Sequence, residues 1–451
     1  MTRRFPTSAG LLIGAAFCAH LAAIVQAGFG QTVSGATLFL VGQTALAFGL
    51  VRLIDGDWVF QDIRFLFVIF FFLYGGLHPL LVTFAGRNDP GTAGAAFLYA
   101  AGFAGFNLVQ WWFKEPWRDI PPAAFDRIRP NTANLALLIF IFGFIMAYAY
   151  ARGIRLSLSV DRTQAQFLGT QLWVVAQFAL SGATMFMFVG WSRLSRPARI
   201  LLVVTLTAYI LIQVSFGNRR EFLPMAVFGA GLIATRRRSV IRLGTVVLGF
   251  LSFSFFLLIA LIRQVVQHPS LAAQGPLKLL LETNEFVTPI QTLIFYVTAN
   301  RPLKLGWTYF YAPVLFVPRA IWSGKPESLS LTFLRDAFGY TALMGYAYTP
   351  VTEAFINFGW VGPFLALCLV SLLMVKLVRD ADVRPGLYLI AFAMVVDFNR
   401  GDFGGIFYTV AVIGGAYAGM HFISRLKWAS PSSSAVRPES RPTPRAATVG
   451  Y

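Results

Sequence analysis

Apolar runs of about 20 residues, separated by short charged or Pro/Gly-rich breaks, recur along almost the whole chain. Each is long enough to cross a hydrocarbon core of about 30 Å, so the expected fold is an all-α, polytopic membrane protein. A transmembrane barrel would show shorter, alternating segments instead. Charged residues make up only 12% of the chain, about half the roughly 25% of a soluble domain, which excludes a water-soluble fold. The runs give twelve expected spans: 9–29, 33–51, 65–85, 93–113, 133–151, 166–191, 198–216, 221–235, 241–262, 351–375, 385–398 and 404–424. The eighth and eleventh are short for a full crossing, which takes roughly 17–25 residues.

The net charge of +18 carries no nucleic-acid signature, because the 37 Lys and Arg cluster in the breaks between apolar runs. There they orient a membrane protein. With the N-terminus cytoplasmic, 23 of the 37 fall on the inner side, including Arg236–Arg238 and the basic tail. The short loops thus place both termini in the cytoplasm. Arg3 and Arg4 precede a first apolar run longer than a signal-peptide core, so an uncleaved first helix is expected. Cys18 and Cys368 each lie inside an apolar run and indicate neither a disulfide nor a thiolate metal site.

The chain therefore divides into nine spans over 1–262, a large external segment over 263–350, three spans over 351–426 and a polar tail over 427–451 expected to be disordered. A connection as long as 263–350 is usually functional. It interleaves charges with aromatics, as in Phe316-Val-Pro-Arg-Ala-Ile-Trp-Ser-Gly-Lys-Pro326. An interfacial aromatic belt and a face for stacking sugar rings both fit that composition. Arg319 and Lys325 lie between two prolines and can project toward one anion, with Trp322 anchoring the turn. Glu353 and Asn357, at i and i+4, share a face at the outer end of span ten. An ionisable residue there marks a site or caps a helix N-terminus.

Further external cations are Arg219 and Arg220 in the turn between spans seven and eight, Arg263 at the end of span nine, and Arg400 between the last two spans. Arginines suit bidentate binding of a diphosphate, and internal pairing, such as Arg220 with Glu221 or Arg400 with Asp397 or Asp402, is the alternative. Phosphate-binding Gly-rich loops and H-E-x-x-H are absent, and the four histidines are scattered, with His268 alone in the long segment. No metal and no cofactor is expected.

The many-span layout, Gly217-Asn-Arg-Arg-Glu221, Pro318-Arg-x-x-Trp-x-x-Lys-Pro326, and Glu353 followed by Asn357-Phe-Gly-x-x-Gly362 together resemble the O-antigen polymerase class of bacterial membrane glycosyltransferases, the oligosaccharide repeat-unit polymerases. The resemblance implies a GT-C-like bundle in the bacterial inner membrane. Its substrate there is an undecaprenyl-diphosphate-linked oligosaccharide, polymerised at the periplasmic face into O-antigen or exopolysaccharide. Membrane lipid, a chain-length regulator and a flippase are the implied partners. Departure of a diphosphate needs cations, and the acceptor hydroxyl needs a base. Arg219, Arg220, Arg263, Arg319, Lys325 and Arg400 are the expected cations, with Trp322 and Asn357 also in the binding site. Glu353 is the first candidate base, with Asp397 and His268 behind it. An O-antigen ligase of the same class and a lipid-linked oligosaccharide flippase are the competing readings.

Overall fold

A computed structural model describes residues 7–25, 32–57, 59–126, 128–151, 171–215, 223–237, 286–299, 301–317, 321–339 and 347–426, with single positions between 265 and 284. Among them the apolar runs are helices and no strand occurs. The first group is α1 (Thr7–Val25), α2 (Val33–Asp55), α3 (Ile63–Phe84) and α4 (Pro90–Phe113). The second is α5 (Pro122–Asp126), α6 (Thr132–Ala151), α7 (Gln171–Val189), α8 (Arg196–Ser215) and α9 (Leu223–Arg237). The long segment contributes α10 (Pro289–Ala299), α11 (Trp307–Phe310) and α12 (Leu329–Phe338). The chain then forms α13 (Pro350–Phe358), α14 (Gly362–Arg379), α15 (Pro385–Phe398) and α16 (Phe403–Arg425).

Among the described residues, eight helical stretches are long and apolar enough to cross a membrane: α2, α3, α4, α6, α7, α8, the α13–α14 stretch and α16. Helices α1, α9, α10 and α15 are apolar but shorter. The expected ninth span, 241–262, and the tail 427–451 lie outside the described residues.

Local chemistry sets the helix starts. Asp89 accepts the Thr92 N–H at 2.8 Å and Pro90 follows it, so α4 opens with a side-chain cap and a preset φ. Thr349 and Pro350 open α13 in the same way, with Thr349 accepting the Thr352 N–H at 3.1 Å. Span ten, expected over 351–375, lies within the helical stretch Pro350–Arg379, which is long and apolar enough to cross a membrane but is not one regular helix. It breaks at Gly359, whose φ of +64° favours glycine, into α13, a 3-10 turn over Gly359–Val361, and α14. Pro363 enforces the break, since it has no N–H and its ring would collide with the carbonyl four residues back.

Helix α4 lies at the centre, against α2, α3, α10 and α14. A Cβ at Gly105 would overlap the Phe364 carbonyl, so α4 and α14 touch backbone to backbone, as small residues permit in membrane bundles. Polar side chains link the helices in places: Gln110 donates to Ser371 at 2.9 Å and Asn107 to Gln43 at 3.0 Å.

Two polar clusters occupy opposite ends of this bundle, roughly 36 Å apart along α4 at about 1.5 Å per residue. At one end Arg64, fully buried, donates to Asp62 at 2.6 Å, Asp55 at 2.7 Å and Gln110 at 3.2 Å. The Tyr388 hydroxyl donates to the Gln61 carbonyl and accepts the Ile63 N–H, tying α15 to the same end. Burial would raise the Asp62 carboxyl, but the Arg64 charge and hydrogen bonds hold it below its ordinary value. The other end carries Asp89, α10 to α13 and the α15–α16 turn.

Candidate functional site

The second cluster is built on α13. Its nine residues place Glu353 and Asn357 one turn apart, both essentially without solvent exposure. Glu353 does not cap its own helix, because Thr349 does that. Instead one carboxylate oxygen accepts the Thr308 hydroxyl at 2.7 Å and the other accepts the Phe403 N–H at the start of α16. The capping alternative thus holds in another form, since the helix start that Glu353 serves is that of α16 and not its own. Glu353 clamps three parts of the chain, the long segment, the broken helix and the last helix.

Asn357 completes the arrangement. Its amide donates to Thr308 Oγ1 at 2.6 Å and to the Glu353 carbonyl at 2.7 Å, and its oxygen accepts the Gly306 N–H at 3.0 Å. Because Thr308 receives one proton from Asn357, its own hydroxyl proton is directed at Glu353. The last carbonyls of α13, left over at a helix C-terminus, are taken by the Lys304 N–H (Ile356, 2.9 Å) and the Leu305 N–H (Asn357, 3.1 Å). Leu305 is held at φ +49° and Gly306 at +85°. A left-handed non-glycine costs about 1–2 kcal/mol, so this turn is over-determined by its hydrogen bonds.

In front of Thr308 opens a cavity of about 450 Å³, lined by Lys304, Trp307, Thr308, Tyr311, Pro326, Glu327, Thr332 and Arg335. Trp307, part of that lining, is 56% exposed and its ring stacks on Phe310 at 5.8 Å. Arg335 pairs with Glu327 at 3.1 Å and Asp336 at 3.4 Å. Burial pushes the Lys304 ammonium below the ordinary lysine value, an effect only partly opposed by Asp336 and Glu353. Tyr309 is raised by burial and by the Glu353 charge. Its ring lies parallel to Phe358 at 6.1 Å and edge-on to Phe403 at 5.3 Å, forming an apolar wall behind the cluster. Beneath the segment Tyr296, Leu329, Phe333, Tyr348 and Ile356 form a small apolar core of their own.

The expected site residues divide into three groups. Glu353 and Asn357 come together, and the α15–α16 turn bearing Asp397, Arg400 and Asp402 is joined to them through Phe403. Asp397 is buried at the end of α15, Arg400 donates its N–H to the Asp397 carbonyl at 3.1 Å, and Asp402 caps α16. Lys325 is turned inward, its ammonium donating to the carbonyls of Leu315 at 2.7 Å and Val317 at 2.9 Å, so it braces the loop; Trp322 is 43% exposed. Arg219, Arg220, Arg263, His268 and Arg319 lie outside the described residues. Among those described, no group of His, Cys, Asp and Glu could hold a metal ion.

Sequence reasoning missed Thr308 and Lys304. Thr308 resembles any loop threonine, and Lys304 was one of several loop cations. The Leu305-Gly306 pair, whose turn presents both side chains, was the available signal. The class that fold and site define is a polytopic membrane protein with a partly enclosed polar site at one end of its bundle. Comparison with protein-family models, curated proteins and solved structures finds no match to this chain.

Proposed function

We propose that this protein is a membrane glycosyltransferase that polymerises undecaprenyl-diphosphate-linked oligosaccharide repeat units at the periplasmic face of a bacterial inner membrane. The observation that carries this reading is the cavity at the bundle end, with aromatic side chains in its lining, paired charges and a threonine hydroxyl aimed at a buried carboxylate. Aromatic faces with a few polar groups suit sugar rings, and a site at the end of apolar helices suits a substrate with a lipid tail.

The chemistry follows from those groups. The acceptor hydroxyl oxygen bonds to the anomeric carbon of the donor glycan, and the bond from that carbon to the diphosphate oxygen breaks. The electron pair leaves with the diphosphate, whose charge needs cations nearby. The hydroxyl proton passes to Thr308 Oγ1 as the Thr308 proton passes to Glu353, which sits one hydrogen bond behind the cavity wall.

The test is product analysis with purified protein in nanodiscs, supplied only with undecaprenyl-diphosphate repeat units. A ladder of longer glycans is expected. Unchanged substrate from a folded preparation would overturn the reading. Transfer to a lipid A core, without self-extension, would replace it with the ligase, and transbilayer movement of intact substrate with the flippase.

A further inference from the structure

We propose that Lys304 is the cation that holds the substrate diphosphate, at the junction of a glycan-binding cavity and a second cavity that takes the first part of the prenyl chain. The inference rests on the transferase reading for the identity of its ligand and on the following geometry for the site.

The second cavity, about 410 Å³, is lined in part by the 301–304 segment. Lys304 lines both cavities. The two differ in character. The first has Thr308, Glu327 and Arg335 alongside Trp307 and Tyr311. The second sets Arg301, Lys304 and Asp336, two cations and one carboxylate, beside Val297, Leu303, Phe355 and Trp360, a charged rim on an apolar wall. A lipid diphosphate has that same order of groups, with glycan, charge and hydrocarbon in sequence. Trp360, in the wall of the second cavity, and its neighbour Val361 are 52% and 59% exposed, so the helix break presents apolar surface there.

The neighbouring cations are already engaged. Arg335 is paired with Glu327 and Asp336, Arg301 donates to the Asp336 carbonyl at 3.4 Å, and Lys325 donates to two backbone carbonyls. Among the described residues the Lys304 ammonium makes no hydrogen bond and no ion pair, although the side chain is half-buried. Its backbone is fixed at both ends, by the Ile356 carbonyl ahead of it and by the Trp307 N–H, which donates to its own carbonyl at 2.9 Å. A half-buried cation, rigidly presented and left unpaired between a polar and an amphipathic cavity, is a site for an anion carrying a lipid tail.

The probe is farnesyl diphosphate, measured by calorimetry on the full chain in detergent, with inorganic diphosphate in a parallel arm. Wild type should bind farnesyl diphosphate saturably and inorganic diphosphate much more weakly, since the latter uses no apolar wall. Lys304→Met should weaken farnesyl diphosphate about 10- to 100-fold, the scale of one lost charge-assisted contact. Lys304→Arg should restore binding to within about threefold because the charge is kept. Unchanged thermal unfolding of Lys304→Met ensures that the loss is local, and a destabilised variant is replaced by Lys304→Gln. Equal binding by wild type and Lys304→Met overturns the inference while leaving a polymerising wild type, and hence the transferase reading, intact. Equal affinity for inorganic diphosphate overturns the role of the second cavity. A folded wild type that neither binds farnesyl diphosphate nor builds a glycan ladder overturns both.

Discussion

Replacing Glu353 separates its two tasks, clamping the fold and accepting a proton. Glu353→Ala leaves the Thr308 hydroxyl and the Phe403 N–H without their acceptor in a buried site and adds a small cavity. Each unsatisfied buried group costs about 1–3 kcal/mol, so a loss of roughly 3–5 kcal/mol is expected. Glu353→Gln is milder. Its amide oxygen can still accept the Phe403 N–H, while its NH₂ faces Thr308 Oγ1, whose hydroxyl can rotate to accept. The expected cost is about 1–2 kcal/mol, the difference between a charge-assisted and a neutral hydrogen bond. The catalytic effect runs the other way in the comparison. Glutamine cannot take the Thr308 proton, so turnover should fall about 10²- to 10⁴-fold in a folded protein. The assays are thermal unfolding in detergent and the glycan ladder from lipid-linked repeat units. Wild-type chain growth by Glu353→Gln would refute the proton relay, and an Ala variant as stable as wild type would refute the clamp.

Two other outcomes follow from the ionisable groups outside that relay. Arg64→Met removes the basic partner that Asp55 and Asp62 share at the opposite end of the bundle, leaving them buried without it at a cost of about 3–5 kcal/mol. A thermal midpoint indistinguishable from wild type would show that the cluster is not a structural pair. The Lys304 ammonium, lowered by burial, should lose its proton at a lower pH than an ordinary lysine. Farnesyl diphosphate affinity should therefore decline as pH rises through that lowered value, and Lys304→Arg should stay flat over the same range, because guanidinium remains charged. Parallel pH profiles for the two proteins would exclude Lys304 as the titrating group.

The parts of this protein set by neighbours in sequence were legible without the structure. Mean hydropathy over about 20 residues marks a helix that can lie in hydrocarbon, and Asp89-Pro90 and Thr349-Pro350 mark where such helices begin. The i, i+4 spacing was enough to put Glu353 and Asn357 on one face. The break at Gly359 was written in Gly359-x-x-Gly362-Pro363 but was outweighed by the apolar run around it. What those residues do was decided only by packing. Glu353 meets a hydroxyl 45 positions before it and an N–H 50 positions after it, and no local rule pairs such distant groups. Lys325 and Lys304 are the same residue type in the same loop, yet one is consumed by backbone carbonyls and the other is left facing two cavities. Charge and hydropathy are properties of a residue, whereas burial, partnering and the cavity beside it belong to the fold, and it is the latter that turn a cation into a binding site.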